Sequence, residues 1–398
     1  MTTWVELPPG TQRGIENLPY AVFRQGQEAP RVGVGIGDRV LDLARALGDD
    51  VFAQPSLNAF MARGRGGWQD ARARIVDLLT DPGRRTTVEP ALLPLSGITL
   101  QLPFDVADYV DFYSSIHHAQ NVGRIFRPDQ EPLQANWRHL PVGYHGRAGT
   151  VVVSGTPITR PQGQRRGGAD GAPEFGPSQK LDIEAEVGFV VGVGSDHWRS
   201  VETRAFEDHV FGVVLVNDWS ARDLQTWETV PLGPFLGKSF ATSISAWVVP
   251  LAALDAAHVA APRQDPAPLP YLGGDHLYGL DIDLDVNING RPLSHPRFAD
   301  MYWTPAQQLA HMTVNGASVR TGDLYASGTV SGEAREEWGS LLEITWNGRD
   351  PVELGGGSSR TFLEDGDTVV ISASAPGPDG ARIWFGEVSG TIRAAATD

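Results

Sequence analysis

Short apolar runs separated by turn residues are the dominant pattern of this chain. Runs rich in β-branched residues predict strands, several of them buried on both faces. The predicted strands lie at 32–36, 150–153, 187–193, 211–216, 246–249, 280–286, 341–346 and 368–372. Helical periodicity is scarce and predicts helices at 40–47, 69–79, around 114–123 and 305–313. The pattern therefore predicts a fold that is mainly β with some helix, in the α+β class.

A domain boundary is expected near residues 98–105, after the Pro-Leu-Ser-Gly turn at 94–97. The part before it is a compact module of strands and helices. Beyond it, histidine, acidic and aromatic residues become much denser. We therefore predict two domains, 1–100 and 101–398, because 398 residues exceed one average domain. Segments 161–179 and 261–275, rich in glycine or proline, are expected to be surface loops.

Composition excludes several kinds of chemistry. The chain has no cysteine, so it contains no disulfide, thiolate metal site or cysteine nucleophile. The first nine residues lack a basic region followed by an apolar run, which predicts no signal peptide. Apolar runs such as 211–216 are far too short to span a bilayer. We therefore expect a cytoplasmic protein with no membrane partner.

The formal net charge is −16, with 48 acidic residues against 32 basic ones. Nucleic acid is a disfavoured partner, since phosphate binding requires a positive field. The acidity is compatible with a plain contribution to solubility. It is equally compatible with carboxylates that a cation holds together, and composition leaves both interpretations open.

The first candidate cluster lies at residues 111–127. Segment 111–115 reads Asp-Phe-Tyr-Ser-Ser, and His118 and Arg127 follow it. Segment 141–147 then reads Pro-Val-Gly-Tyr-His-Gly-Arg. Such a density of aromatic and charged residues is unusual for a plain scaffold. The alternative is that His117 and His118 lie on a solvated helix face.

Glu184 and Glu186 form the second candidate feature. They are two positions apart, so on a strand both side chains project from the same face. Like charges on one face repel unless something neutralises them, and a divalent cation would do so. The alternative is that this face is open to water.

Polar residues directly after the predicted strand 211–216 form the third feature, because such residues often belong to a site. The sequence there is Asn-Asp-Trp-Ser-Ala-Arg-Asp-Leu-Gln, from Asn217 to Gln225. The alternative is structural: Asn217 or Asp218 would cap a short helix, and Arg222 would pair with Asp223.

Two further charged residues need partners if they are buried. Lys238 lies between glycine and serine, which suggests a phosphate-binding loop, but position 232 is leucine where that motif requires glycine. A buried, partnered Lys238 remains open. Glu343 is expected at the opening of the predicted strand 341–346, where an unpaired carboxylate is costly.

These segments occur in an order and at spacings that resemble the fumarylacetoacetase family, also called the fumarylacetoacetate hydrolase family, over nearly the whole chain. The matching motifs are Asp-Phe-Tyr-Ser-Ser…His, Pro-Val-Gly-Tyr-His-Gly-Arg, Val-Val-Ser-Gly-Thr-Pro, Asn-Asp-Trp-Ser-Ala-Arg-Asp and Pro-Leu-Gly-Pro-Phe-Leu-Gly-Lys-Ser-Phe. The resemblance implies an N-terminal SH3-like β-barrel domain and a C-terminal catalytic domain with the mixed β-roll of this superfamily. It also implies a homodimer.

The activity implied by the resemblance is metal-dependent hydrolysis of a carbon–carbon bond in 4-fumarylacetoacetate. The products are fumarate and acetoacetate, in the last step of tyrosine and phenylalanine catabolism. The implied calcium ligands are Asp111, Glu184, Glu186 and Asp218. The residues implied for a magnesium ion are Asp218, Lys238 and Thr242. The implied substrate contacts are Tyr113, Arg127, Tyr144, Gln225 and Thr329.

The resemblance also implies a mechanism. His118 activates water and Glu343 orients it, while the 1,3-diketone chelates the bound ion. Carboxylates are hard oxygen ligands, suited to Ca²⁺, Mg²⁺ or Mn²⁺ rather than to soft metals. The residues implied to stabilise the oxyanion are Arg222, Gln225 and Lys238.

The chain departs from the family pattern at two positions. Thr229 stands where the family has a substrate-contacting tyrosine, so one polar anchor is shorter. Ala241 replaces a glycine after Lys238, which affects the expected geometry of the magnesium site.

Two other functions are compatible with parts of the sequence. A superfamily decarboxylase, hydratase or acylpyruvate hydrolase would keep the fold, but such relatives typically lack the N-terminal domain and the Asp-Phe-Tyr-Ser-Ser…His segment. A calcium-stabilised binding protein would use the carboxylates structurally. It would have no turnover and no need for His118.

Overall fold

A computed structural model of the chain describes residues 2–167 and 171–396. Its fold is mainly β with some helix, as the apolar pattern predicts. Among the described residues, three sheets of five or more strands form its framework, and there are also four two-stranded ladders. The ladders are Gln162–Arg165 with Glu174–Pro177, Leu181–Asp182 with Ser220–Ala221, His258–Ala260 with Tyr278–Leu280, and Val352–Gly355 with Ser358–Arg360.

The N-terminal sheet has five antiparallel strands. Their spatial order is Leu92–Pro94, Arg39–Asp42, Arg31–Ile36, Tyr20–Arg24 and Thr99–Leu100. The helix Gly64–Thr80 packs Trp68, Ile75 and Leu79 into the same apolar cluster as these strands. That cluster continues beyond residue 100, because the Tyr20 ring lies 5.3 Å from the Phe211 ring. The proposed division at residue 100 stays a prediction.

The central sheet has eight strands and carries the candidate site. Seven follow the spatial order Gly143–His145, Tyr109–Phe112, Leu324–Ala326, Ala185–Val191, Val210–Asp218, Thr242–Ile244 and Val151–Val153. The eighth, Val249–Pro250, also pairs with Val210–Asp218. Every residue of Val210–Asp218 is buried, in agreement with its continuous apolar run.

The C-terminal sheet covers one face of the central sheet. Its strands, in spatial order, are Arg291–Ser294, Asp283–Ile288, Thr368–Pro376, Arg382–Arg393 and Ile158–Thr159. Buried and partly exposed residues alternate along Thr368–Pro376, so one face of this strand points into the core. Residues of both sheets, such as Val187 and Ile371, share the largest apolar cluster.

Helices connect and cover the sheets. The α-helices are Leu43–Leu47, Asn58–Met61, Gly64–Thr80, Arg85–Val88, Ile116–Phe126, Phe206–His209, Arg222–Glu228, Leu236–Ser239, Pro305–Thr313 and Leu341–Ile344. Side-chain caps mark the starts of several of these helices, including Ile116–Phe126 and Pro305–Thr313. Ser115 accepts a hydrogen bond from the His118 N–H, and Thr304 forms a capping box with Gln307. No helix in the described ranges combines the length and apolarity needed to cross a bilayer.

Most predicted elements are confirmed, but several are wrong or shifted. Segment 341–346 forms the helix Leu341–Ile344 instead of a strand. Segment 40–47 divides into the strand Arg39–Asp42 and the helix Leu43–Leu47, because Val40 and Leu41 pair with neighbouring strands. The strand predicted at 280–286 is interrupted at 281–282, and that at 246–249 is reduced to Val249–Pro250. The predicted loop 161–179 contains a ladder, and its residues 168–170 lie outside the described ones.

Candidate active site

Four buried carboxylates converge at one end of the central sheet. Asp111 comes from Tyr109–Phe112, and Asp218 ends Val210–Asp218. Glu184 directly precedes Ala185–Val191, and Glu186 lies within it. One carboxylate oxygen from each residue lies within 4.8 Å of the others. We refer to Asp111, Glu184, Glu186 and Asp218 as the carboxylate cluster.

Protein donors satisfy only part of this cluster. Among the described residues, Asp111 Oδ1 and both carboxylate oxygens of Glu186 have no hydrogen-bond partner. Burial, followed by the negative charges of neighbouring carboxylates, raises the pKa of Asp111 and of Glu186 well above its usual range. Unpartnered hard oxygens that face one another fit a divalent cation. The buried acidic cluster could therefore bind a divalent metal. The alternative of a glutamate face open to water is wrong, since all four residues are buried.

Lys238 supplies positive charge to the cluster. Its ammonium group bonds to Glu184 and lies 2.6 Å from Asp218 Oδ2. Burial lowers the pKa of Lys238, but the charges of Asp218 and Glu184 outweigh burial and raise it above its ordinary value. A protonated ammonium has no lone pair for a metal, so this side chain is a donor to two cluster residues. Its place in the magnesium set stays a prediction.

Two hydroxyl groups complete the surroundings of Asp218. Thr242 Oγ1 donates to Asp218 Oδ1 at 3.2 Å, and Tyr144 Oη donates to Asp218 Oδ2 at 3.1 Å. These contacts bring together Asp218, Lys238, Thr242 and Tyr144 from four separate segments. Ala241, beside Thr242, is buried in the apolar core.

Arg222 forms a buried ion-pair network beside the carboxylate cluster. Its Nε donates to Asp182 Oδ2 at 2.8 Å, and its Nη2 lies 2.8 Å from Glu184 Oε1. Burial lowers the pKa of Arg222, but Glu184 and Asp182 outweigh it and raise the pKa above its usual value. Arg222 Nη1 also donates to Gln225 Oε1 at 3.3 Å. Arg222 and Gln225, one helical turn apart, therefore lie together beside the carboxylate cluster.

The structural alternative for segment 217–225 is wrong. Arg222 does not pair with Asp223, because Asp223 accepts hydrogen bonds from Ser178 and the Gln179 N–H. The helix Arg222–Glu228 begins after Ala221 and has no side-chain cap from Asp218.

His118 and Glu343 form a buried pair. His118 Nδ1 lies 2.7 Å from Glu343 Oε2, and His118 Nε2 lies 3.8 Å from Glu184 Oε1. The imidazole therefore lies between Glu343 and the carboxylate cluster. His118 is 2% exposed, so the alternative of a solvated helix face is wrong.

Glu343 is held by several donors. Asn121 Nδ2 donates to Oε1 at 3.0 Å, while Ser331 and Ser340 hydroxyls donate to Oε2 at 2.9 and 2.8 Å. Burial raises the pKa of Glu343, but His118 and the hydrogen bonds outweigh burial and leave it below its usual value. Glu343 is therefore a stable carboxylate in this setting, although it lies on a helix and not at the start of a strand.

The remaining predicted residues lie further out. Tyr113 packs its ring edge-on against His118 at 5.3 Å and lines a cavity of about 200 Å³ together with Arg127. Arg127 Nη2 donates to the Pro132 carbonyl at 2.9 Å, and its buried Nε has no partner among the described residues. Thr329 also has a buried hydroxyl that has no hydrogen-bond partner among the residues that the structure describes. These groups have unused hydrogen-bonding capacity.

Tyr144 and Lys238 line a second, more open cavity of about 320 Å³. Thr229 is exposed at the end of helix Arg222–Glu228. Its hydroxyl donates to the Gln225 carbonyl at 2.7 Å, one helical turn earlier. Where the family has a tyrosine, this chain therefore has a short side chain whose hydroxyl already has a partner.

The sequence did not predict the residues that hold Arg222 and Glu343 in place. Asp182, Asn121, Ser331 and Ser340 all contact Arg222 or Glu343, and all are buried. Asp182 had one usable signal, because it stands two residues before Glu184 in the Asp-Ile-Glu-Ala-Glu segment. Ser340 and Ser331 stand only 3 and 12 positions before Glu343, whereas Asn121 is 222 positions away and its contact follows from the fold.

Similarity to known proteins covers nearly the whole chain. Residues 16–103 match the family described as fumarylacetoacetase N-terminal, and residues 109–393 match fumarylacetoacetate (FAA) hydrolase C-terminal. The fumarylacetoacetase of Homo sapiens is 47% identical over 400 residues, covering 95% of this chain and 95% of the relative. That of Caenorhabditis elegans is 46% identical over 415 residues, covering 98% and 99%.

Solved structures with the same fold are more distant in sequence. Fumarylacetoacetate hydrolase from Exiguobacterium antarcticum has a TM-score of 0.59 at 18% identity, covering 95% of this chain and 99% of that chain. Maleylpyruvate hydrolase from Sphingobium sp. SYK-6 has a TM-score of 0.53 at 18% identity, covering 95% and 100%. At this identity the likeness shows the fold alone. Together with both family matches and the close relatives, it shows that the chain belongs to the fumarylacetoacetase family of hydrolases.

Proposed function

We propose that this protein hydrolyses 4-fumarylacetoacetate to fumarate and acetoacetate, the last step of tyrosine and phenylalanine catabolism. The family and its relatives support a hydrolase of this kind. One observation carries the proposal further: the His118–Glu343 pair lies beside the carboxylate cluster, with His118 Nε2 3.8 Å from Glu184. A general base next to a cation site suits hydrolysis of a diketone.

We propose Asp111, Glu184, Glu186 and Asp218 as the ligands of a divalent ion, Ca²⁺ or Mg²⁺ with Mn²⁺ as an alternative. Such an ion would polarise the two ketone oxygens of the substrate. Asp218, Lys238 and Thr242 are the proposed surroundings of a magnesium ion, with the Lys238 ammonium as a charge that lies near it. The fit rests on the unpartnered oxygens of Asp111 and Glu186.

His118 is the proposed general base. Because its Nδ1 faces the ionised Glu343, the proton belongs on Nδ1, and Nε2 is left to accept a proton from water. The water oxygen attacks the fumaryl ketone carbon as its proton moves to Nε2. The bond to the neighbouring methylene then breaks, and its electron pair leaves with the acetoacetate fragment as an enolate. Return of a proton to that carbon completes both products.

Positive charge and hydrogen-bond donors support the developing oxyanion. Arg222, Gln225 and Lys238 are the proposed stabilising set, since Arg222 and Lys238 contact the cluster and Gln225 contacts Arg222. Because Arg222 and Lys238 are already fixed by Asp182, Glu184 and Asp218, they need little reorganisation during the reaction.

We propose Tyr113, Arg127, Tyr144, Gln225 and Thr329 as substrate contacts. The substrate carries a carboxylate at each end, and Arg127 offers an unsatisfied guanidinium nitrogen in the cavity that Tyr113 also lines. Thr329 offers a buried hydroxyl. Buried donors and acceptors without protein partners are the groups that a polar ligand satisfies.

We further propose a cytoplasmic homodimer that binds neither nucleic acid nor membranes. Apolar side chains are exposed close to the second cavity, at Val230, Leu232 and Phe235, which supports burial of this surface by another molecule. Light scattering coupled to size exclusion would give twice the chain mass for a dimer, and the chain mass alone would contradict it.

The test of function is a spectrophotometric assay of fumarylacetoacetate loss. We expect turnover by the purified protein, its loss after exhaustive EDTA treatment, and its return after addition of Ca²⁺ or Mg²⁺. Fumarate should form in a one-to-one ratio with acetoacetate. Absence of turnover with metal present would contradict the proposed reaction, and full activity after chelation would contradict the metal role.

A further inference from the structure

Asp182 is a buried charged residue to which the mechanism above gives only the anchoring of Arg222. It lies in the short ladder Leu181–Asp182 with Ser220–Ala221 and has no exposed surface. Its carboxylate accepts four hydrogen bonds. The donors are the N–H groups of Ile183 at 2.7 Å, Leu341 at 2.8 Å and Leu342 at 3.0 Å, and Arg222 Nε at 2.8 Å.

Two of these bonds fix the helix that carries Glu343. The first N–H groups of a helix have no partner within the helix. In Leu341–Ile344, Asp182 accepts from the first two N–H groups and Ser340 accepts from that of Glu343. This four-residue helix is too short to be stable by itself. Its position, and therefore that of Glu343, depends on Asp182 and Ser340.

A third bond fixes Arg222. The same oxygen of Asp182 that accepts from the Leu342 N–H also accepts from Arg222 Nε. The outer nitrogens of Arg222 then lie 2.8 Å from Glu184 Oε1 and 3.3 Å from Gln225 Oε1. The Asp182 carboxylate thus joins the helix that carries Glu343 to the Arg222 guanidinium beside the carboxylate cluster.

We propose that Asp182 is a positioning residue that sets the His118–Glu343 pair and Arg222 in register with each other. It acts through Leu341–Ile344 and Arg222, and it does not touch the reacting atoms. The proposal rests on the function proposed above. Displacement of Asp182 would move the base and the oxyanion donor together, and small misplacement of such groups costs turnover more than binding.

Asp182→Asn provides the test. The amide keeps one acceptor, but its NH₂ group would face Arg222 Nε and the Leu342 N–H, so both bonds on that side are lost. We expect kcat per folded molecule to fall by about 10–100-fold, the range for partners that orient catalytic ligands. We expect KM to change by less than about threefold, since the proposed substrate contacts remain. Steady-state kinetics corrected for the folded fraction by circular dichroism would measure both.

Asp367→Asn is the matched control. Asp367 is equally buried and accepts from Arg360 Nε at 2.9 Å, Asn289 Nδ2 at 2.8 Å and the Glu364 N–H at 2.7 Å, away from the carboxylate cluster. Asp367→Asn therefore also replaces a buried carboxylate that accepts from an arginine and a backbone N–H. We expect Asp367→Asn to lower the melting temperature while kcat stays within about twofold of wild type, since no site residue contacts Asp367.

A double-mutant cycle separates coupling from general damage. Asp182→Asn and Glu343→Gln act on one unit in this proposal, so their losses in kcat should be far from additive. If Asp182→Asn does not fold, Asp182→Ser replaces it, since serine keeps one acceptor and removes the buried charge. The same split between kcat and KM is expected.

Three results would overturn the proposal. They are a kcat within twofold of wild type in the folded Asp182 variant, an equal loss in Asp367→Asn, and full additivity with Glu343→Gln. Wild-type protein that does not hydrolyse fumarylacetoacetate would overturn the proposed function and this proposal together. Wild-type turnover with an unaffected Asp182 variant would overturn this proposal alone.

Discussion

Two groups of buried carboxylates lie next to each other in this protein, and they differ in their partners. Asp182 and Glu343 accept hydrogen bonds from at least four protein groups each. Asp111 and Glu186 are as deeply buried, yet among the described residues Asp111 Oδ1 and both oxygens of Glu186 have no donor. Burial therefore does not distinguish the two groups, whereas the supply of donors does.

The difference indicates two roles for the same functional group. A buried carboxylate whose hydrogen bonds the fold supplies orients its donors and leaves little oxygen surface free for an ion. A buried carboxylate without donors bears a desolvation cost that a cation can offset. We therefore expect the first, donor-rich group to control the geometry of the site and the second, donor-poor group to control ion binding. Each of the following predictions tests one side of this distinction.

The largest effect is expected at His118, the residue between the two groups. His118→Ala should lower turnover by about 10²–10⁴-fold, the usual contribution of a positioned general base. Metal binding should persist, because the imidazole lies 3.8 Å from Glu184 and donates no bond to it. Turnover and calorimetric metal titration measure the two effects.

Glu343 and a distant histidine provide the controls for His118. Losses in His118→Ala, Glu343→Gln and the double variant should be far from additive, because Glu343 acts by orienting the imidazole. His311 contacts Tyr271 outside the site, so His311→Ala should retain turnover. Fully additive losses would contradict the orienting role even if both single variants were slow.

The second largest effect is expected from metal removal. A ligand that binds only the folded state at about 100 times its Kd stabilises it by about 2.7 kcal/mol. Exhaustive chelation should therefore lower the melting temperature of the wild type. Glu186→Gln should reduce this chelation-dependent shift, because it removes a charge that has no protein donor.

Asp367→Asn is the control for the metal experiment, since Asp367 belongs to the donor-rich group and lies apart from the cluster. Its melting temperature should be lower than that of the wild type, but chelation should lower it further by the same amount. A wild-type melting temperature insensitive to chelation would show that the carboxylate cluster is stable without an ion.

Much of the carboxylate cluster could be predicted from the sequence. The spacing of Glu184 and Glu186 places both side chains on one strand face, and the sheet then brings Asp218 and Asp111 to the same end. Local periodicity thus captures residues whose relation is set by a strand. The resemblance to a family added Asp111 and Asp218 as ion ligands, and it added the pairing of His118 with Glu343, which are 225 positions apart.

The donor-rich group could not be predicted in the same way. Segment 341–346 is a short apolar run, and such runs suit a strand or a buried helix equally. The Leu341 and Leu342 N–H groups donate to Asp182, which lies about 160 positions earlier in the sequence, and these bonds favour the helix over the strand. Arg222 was ambiguous for the same reason, because its partner Asp182 is remote and Asp223 is adjacent. Local pattern does not encode which distant donor reaches a carboxylate.

A smaller effect is expected in the pH dependence of stability at Asp367. Burial raises the pKa of Asp367, but hydrogen bonds from Arg360, Glu364 and Asn289 outweigh burial and lower it below its usual value. A depressed folded-state pKa gives stability that is complete above the unfolded value, about 3.9, and is lost as the pH falls through the folded value. Asp367→Asn should cost about 1–3 kcal/mol at neutral pH, in line with bonds to a charged group.

The difference between wild type and Asp367→Asn should therefore begin to shrink below about pH 4, where the unfolded carboxyl is protonated, and continue to shrink until the folded carboxyl is protonated as well. Urea unfolding at a series of pH values would measure it. A difference that stays constant down to pH 2 would show that the Asp367 charge does not contribute to folding stability.

The smallest effect is expected at Thr229, on the rim of the site. Its hydroxyl already donates to the Gln225 carbonyl, so its only proton is engaged and it has no donor left for the carboxylate and ketone oxygens of the substrate. We expect contact with substrate to be weak or mediated by water. Thr229→Tyr should change KM by a few-fold, about 1 kcal/mol or less, and leave kcat nearly unchanged. Thr229→Val, which removes the hydroxyl and keeps the shape, should leave both nearly unchanged. A large fall in kcat with KM unaffected would show that this position acts on the reaction itself, through the Gln225 backbone that it contacts.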